Sequence, residues 1–129
     1  MKRLNISSGS SWEPIVGYSR AVRIGNIIEV SGTTASDGDT IVGENDAYMQ
    51  AVYILQKIKI AIENAGGTIN DVVRTRIYVT NISEWESIGK AHGEVFKEIL
   101  PTTSMVEVSA LIDPRMKLEI EATAIIESN

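Results

Sequence analysis

Residues 47–81 read "AYMQAVYILQKIKIAIENAGGTINDVVRTRIYVTN", and a change of period inside this stretch decides the class of fold. Up to Ala65 the apolar positions Ala51, Ile54, Leu55, Ile58, Ala61, Ile62 and Ala65 recur every three or four residues, so one face of a long helix packs inward. Gly66-Gly67 stops it, because glycine readily takes the left-handed conformation that closes a helix. From Asp71 the period becomes two. Val73, Thr75, Ile77 and Val79 face one way and Val72, Arg74, Arg76 and Tyr78 the other, which is a strand.

Upstream, Gly25-Asn26 lies between two short apolar runs and predicts a tight hairpin with strands near 19–24 and 27–32. The polar loop "SDGDTIVGEND" follows, and Asn45 or Asp46 at its end is placed to cap the long helix. Downstream, Ser83 with Glu86 matches a capping box. Trp85, Ile88, His92, Val95, Phe96 and Ile99 make the inward stripe of a second helix that Pro101 ends. Two strands close the chain, about 104–110 and 117–126, the last with Leu118, Ile120, Ala122, Ala124 and Ile126 on one face and Glu119, Glu121, Thr123 and Ile125 on the other.

The sum is an α+β chain: one mixed sheet with two helices, which cover only one face of it. The other face then carries Arg74, Arg76, Tyr78, Met105, Glu107, Glu119, Glu121 and Ile125. That mixture suits association between identical subunits, with a solvated antiparallel face as the alternative.

At 129 residues, with no linker or internal repeat, the chain is expected to form one domain over 1–129. It has no cysteine and one histidine, His92, so a thiolate nucleophile is excluded and a metal site is not expected. A lone histidine on an apolar helix face is read as a packed, hydrogen-bonded residue rather than a catalyst. Seventeen acidic against twelve basic residues give a formal charge of −5, a poor surface for phosphate backbones, which argues against a nucleic-acid partner. "MKRLNISSGSSWEP" lacks the apolar run of a secretory signal and no membrane-length apolar stretch follows, so a cytoplasmic, non-membrane protein is expected.

The stretch "PTTSMVEVS", 101–109, places three hydroxyls between a helix stop and a strand. They carry the turn, or they line a binding loop. Residues 17–35, "GYSRAVRIGNIIEVSGTTA", with "INDVVRTRIYVTNISEWESIG" and "PTTSMVEVSALIDPRMKLEIEATA", resemble the Rid family, the YjgF-like reactive-intermediate deaminases, in order from about Glu13 to Ile126. The resemblance implies a chorismate-mutase-like fold, a homotrimer, small-molecule clefts between neighbouring subunits and no cofactor. In deaminating members of that family water attacks the imine carbon of a small enamine or imine acid and ammonia leaves. Carried over residue by residue, the family's tyrosine falls on Tyr18, its strand-end serine and glycine on Ser31 and Gly32, and its glutamate on Glu119. Glu119 would orient and deprotonate the water, or else form a structural ion pair.

Two departures set this chain apart. The arginine that the resemblance assigns to the substrate carboxylate is replaced by Thr103, beside Met105, and the family's helix asparagine falls on Gly89. A neutral hydroxyl in place of a bidentate cation weakens carboxylate binding by about two orders of magnitude or more. Arg20, two residues after Tyr18 on the same strand face, is a replacement cation for the cleft, or else the partner of a surface carboxylate such as Glu13. Three functions stay open: an enamine/imine deaminase with altered substrate or a metabolite-binding trimer; an endoribonuclease or translation inhibitor, which the acidic charge argues against; and a trimer acting only through partners.

Overall fold

The computed structural model describes residues 2–127. Six strands form one mixed sheet: β1 (Arg3–Ile6), β2 (Ala21–Ile24), β3 (Ile27–Thr33), β6 (Val72–Val79), β7 (Thr102–Glu107) and β8 (Leu118–Ile125). Their order is β1-β2-β3-β8-β6-β7, antiparallel throughout except for the parallel pair β6 and β7. A small separate ribbon pairs β4 (Ser36–Asp37) with β5 (Thr40–Ile41). The helices are α1 (Trp12–Val16), α2 (Ala47–Asn64) and α3 (Trp85–Phe96). β1, α1 and the ribbon are too short for a periodic signal and are additions to the sequence reading.

The long helix forms as its pattern requires. Asp46 caps it, its side chain accepting from the Met49 N–H at 3.0 Å, and Gly66 leaves it at φ 94°. Ala51, Ile54, Leu55, Ile58, Ala61 and Ile62 are buried against β3 and β8, where Ile28, Val30, Leu118, Ile120, Ala122 and Ala124 complete the core. Ile58 is fully buried, so truncation to alanine costs about 2–5 kcal/mol. Arg23 lies on this covered face, and its Nη1 donates to the Ala65 carbonyl at 2.9 Å at the end of α2.

Four local expectations are corrected. In β6 the alternation slips once: the pairing with β8 shifts between Val72 and Arg74, so Val72 is buried and Val73 is 42 % exposed. Ser83 does not cap α3. Asn81 accepts from the Ser83 N–H and hydroxyl and starts a one-turn 3₁₀ segment, Ile82–Glu84, which runs into the helix. The buried stripe of α3 is Ile88, Ala91 and Phe96, with His92 half-buried beside it, while Trp85, the first residue of the helix after the 3₁₀ turn, and Val95 are exposed. On β7, Met105 is paired with Ile77 and packs against the core, and Glu107 pairs with Val79, so both leave the bare face, where Ser104 and Val106 stand instead beside Arg76 and Tyr78. A parallel partner sets that register, which alternation alone does not reveal.

Candidate functional site

The site is built where β3 bends. Its pairing with β8 shifts between Val30 and Thr33, at Ser31 and Gly32. Ser31 is fastened to the chain before β2: its N–H donates to the Arg20 carbonyl at 3.0 Å and its hydroxyl to the Ser19 carbonyl at 2.7 Å. Gly32 leaves room for the Glu119 carboxylate in its present place. A Cβ there would lie 2.2 Å from Glu119 Oε2 and 2.8 Å from its Cδ, so the carboxylate rests against the glycine.

Arg20 lies beside them. It is 9 % exposed, its Nη2 donates to the Gly32 carbonyl at 2.7 Å, and its guanidinium carbon is 5.9 Å from the centre of the Tyr18 ring. Its Nε is buried and has no hydrogen-bond partner. Burial pushes the guanidinium below its ordinary value, against the opposing pull of Tyr18, Glu13 and Glu119. Glu119 is half-buried and makes no hydrogen bond among the described residues. Burial, then Glu121, raises its carboxyl above the usual 4.5, and Arg20 pulls the other way. Arg20 is not paired with Glu13. That carboxylate is 5 % exposed and already takes the Ser7 hydroxyl at 2.8 Å, the Ser8 hydroxyl and the Ser8 N–H. Burial alone would raise Glu13, but these donors, Ser8 first, together with the nearby charge of Arg20, hold it below 4.5.

Tyr18, Arg20, Ser31, Gly32 and Glu119 are therefore brought together. Tyr18 and Ser31 also line an open groove of about 810 Å³ under the N-terminal segment, together with Asn5, Ser7 and Glu13. The other sequence-predicted residues stand apart. Thr103 and Met105 lie on the edge strand β7 and point to the helix side, whereas Glu119, next to the buried Leu118 and Ile120, points to the bare face. Gly89 is on α3, where an added Cβ would meet only the Trp85 ring, at 4.0 Å.

The hydroxyls of "PTTS" all have partners within the chain. Leu100 leaves α3 at φ 56°, Thr102 Oγ1 donates to the Val73 carbonyl at 2.9 Å, and Ser104 accepts from Arg74 at 3.2 Å. Thr103 Oγ1 accepts from Thr75 Oγ1 at 2.7 Å, and Thr75 Oγ1 is 2.8 Å from His92 Nε2. Sequence reasoning missed Thr75, whose hydroxyl is buried in the strand's core-facing row. His92 is half-buried, stacks obliquely on Phe96 at 4.6 Å, and is held below its usual 6.5 by burial. It is the packed, hydrogen-bonded residue its position suggested. Among the described residues no group of three or more His, Asp or Glu side chains is arranged to hold a metal, and no helix is long and apolar enough to cross a membrane.

Residues 8–126 match the family model described as endoribonuclease L-PSP. The chain belongs to the Rid/YjgF-like family. Its fold is similar to the crystal structure of Rv2704 from Mycobacterium tuberculosis, a member of the YjgF/YER057c/UK114 family, with a TM-score of 0.89 at 50 % identity over 97 % of this chain and 100 % of that one. It is 36 % identical over 119 residues to an uncharacterised protein of Streptomyces coelicolor, covering 92 % of this chain and 89 % of the relative. It is 31 % identical over 112 residues to the 3-aminoacrylate deaminase RutC of Acinetobacter baylyi, covering 86 % and 88 %. The α+β architecture of a mixed sheet with flanking helices is that of this family.

Proposed function

We propose that this Rid-family chain assembles as a homotrimer of chorismate-mutase-like architecture and binds a small molecule in clefts between copies, where Glu119 serves as the base of a hydrolytic enamine or imine deamination. The observation that carries the reading is the state of Glu119: a half-buried carboxylate with no hydrogen-bond partner among the described residues, set against a glycine that alone leaves it room. A base needs an open lone pair and a raised pKa, and burial supplies the second. Balanced as a reaction, Glu119 takes a proton from water as the oxygen bonds to the imine carbon. Glu119 returns that proton to nitrogen to give a carbinolamine. The carbinolamine hydroxyl proton then passes by way of Glu119 to the amino group as the carbon–nitrogen bond breaks, so that a carbonyl compound and ammonia leave and the carboxylate is regenerated.

Two features support clefts between copies. Glu119 on the bare face and Thr103 with Met105 on the helix side face away from each other on one chain, which suits a site where two copies meet to bring both to one ligand. The bare face also offers a self-complementary mixture: Tyr78 donates to Glu121 at 3.0 Å, Thr123 to Glu29 at 2.6 Å, and Ile27 and Ile125 are 49 % and 45 % exposed. The altered second wall, with Thr103 in place of a cation, favours a substrate other than 2-iminopropionate, which the native chain should turn over poorly. Binding of a metabolite without turnover is the same site with a silent Glu119. Ammonia release from in situ generated enamines, 3-aminoacrylate among them, tests the reading: native turnover abolished by Glu119→Gln supports it. Turnover unchanged in that variant, or a monomer by sedimentation equilibrium, contradicts it.

A further inference from the structure

Arg20 is a buried cation whose surroundings do not complete it. A guanidinium carries five N–H donors, and among the described residues only Nη2 is used, on the Gly32 carbonyl at 2.7 Å. Nε is buried without a partner. No carboxylate lies in ion-pair contact with it: Glu13 and then Glu119 are near enough to be felt but not bonded, and Glu13 is already taken up by Ser7 and Ser8. An unpaired charge nine-tenths out of water is held only at considerable cost, and association on this face would remove what exposure is left.

We propose that Arg20 is the anion-receiving residue of the cleft, and that a ligand enters with a carboxylate or similar small anion toward Arg20 and its uncharged end toward Thr103. This rests on the cleft described above and reads its polarity from the two walls. The Tyr18 ring at 5.9 Å and the Gly32 carbonyl hold the fork in place, and the missing partner is negative. On the other wall the chain of Thr103, Thr75 and His92 offers neutral hydrogen bonding only. Glu119 sits close to the bound anion, so the two negative groups oppose each other until Glu119 takes up a proton.

Pyruvate and pyruvamide, matched in shape and different in charge, test the polarity when titrated into the native protein and followed at the Gly32 amide by NMR. Pyruvate should bind more tightly than pyruvamide. Arg20→Gln should weaken pyruvate about tenfold or more and leave pyruvamide within about twofold. Arg20→Lys, which keeps the charge, should recover part of the difference, and Glu119→Gln should strengthen pyruvate. Arg23→Ala, which removes an equal charge on the covered face, should leave both ligands unchanged. Equal loss of both ligands in Arg20→Gln and Arg20→Lys, or a native protein that binds both alike or pyruvamide alone, overturns the role of Arg20 while leaving the cleft in place. Failure of both ligands to shift Gly32 in the native protein overturns the cleft itself, and Arg20 with it.

Discussion

Two polar clusters of the molecule, one on each side of the sheet, are built on opposite physical terms. On β7, β6 and α3, Thr103, Thr75 and His92 form a neutral chain in which each group bonds the next, at 2.7 and 2.8 Å. Just before β2 and on β8, Arg20 and Glu119 are charged, partly dehydrated, and joined to the rest by one hydrogen bond, from Arg20 to the Gly32 carbonyl of β3. A satisfied neutral chain stabilises the fold and asks for nothing more. Charged groups left incomplete inside a protein are characteristic of sites that something else completes. In the function proposed above, reactivity therefore belongs on the Glu119 side and the Thr103 side is a wall.

The largest effect is expected at the base. Glu119→Gln should lower turnover of an accepted enamine by about 10²–10⁴-fold with little loss of stability, measured as ammonia release beside a thermal melt. Gly32→Ala should come next. Its Cβ would overlap Glu119 Oε2, and the displaced carboxylate should lower turnover by about a hundredfold. On the neutral wall the change should register chiefly as stability instead: Thr75→Val leaves His92 Nε2 without its partner and Thr103 without its donor, and should cost about 1–3 kcal/mol in denaturant unfolding, with a smaller loss of turnover than Glu119→Gln. Loss of turnover from Thr75→Val as large as that from Glu119→Gln would erase the distinction between the walls.

Acid should separate them by sign. Glu119 is raised above 4.5, so the folded chain binds its proton before the unfolded chain does, and this group adds stability as pH falls through the window from its raised pKa to 4.5. His92 is lowered below 6.5, so the unfolded chain takes its proton first, and this group removes stability as pH falls from 6.5 through its lowered pKa. Glu119→Gln should abolish the first slope and His92→Gln the second, in melts followed from pH 7.5 to 4. The smallest effect is expected at the turn before the neutral wall. Leu100 is 79 % exposed at φ 56°, so Leu100→Gly relieves a left-handed leucine and should raise stability by about 1 kcal/mol or less.

Much of this was legible in the amino-acid order. The helix over residues 47–64 and the strand over 118–125 follow their periods because each buries a continuous apolar row. What escaped has a physical cause in each case. The bulge near Val73 flips a residue without disturbing composition, and the face of Met105 depends on a strand more than twenty residues away. The spacing of Tyr18 and Arg20 indicates a shared face, but the bond from Arg20 to the Gly32 carbonyl reaches to strand β3, which no local spacing reveals. The bonds joining His92, Thr75 and Thr103 link three elements, so no local pattern carries them.

The central claim, that an anion bound at Arg20 makes the neighbouring Glu119 carboxylate a stronger base, is tested most directly by titrating the Glu119 side-chain carboxyl carbon by NMR with and without saturating pyruvate. The account predicts a midpoint above 4.5 in the free protein and a further rise when pyruvate occupies Arg20. A midpoint at or below 4.5 that pyruvate does not move would contradict it.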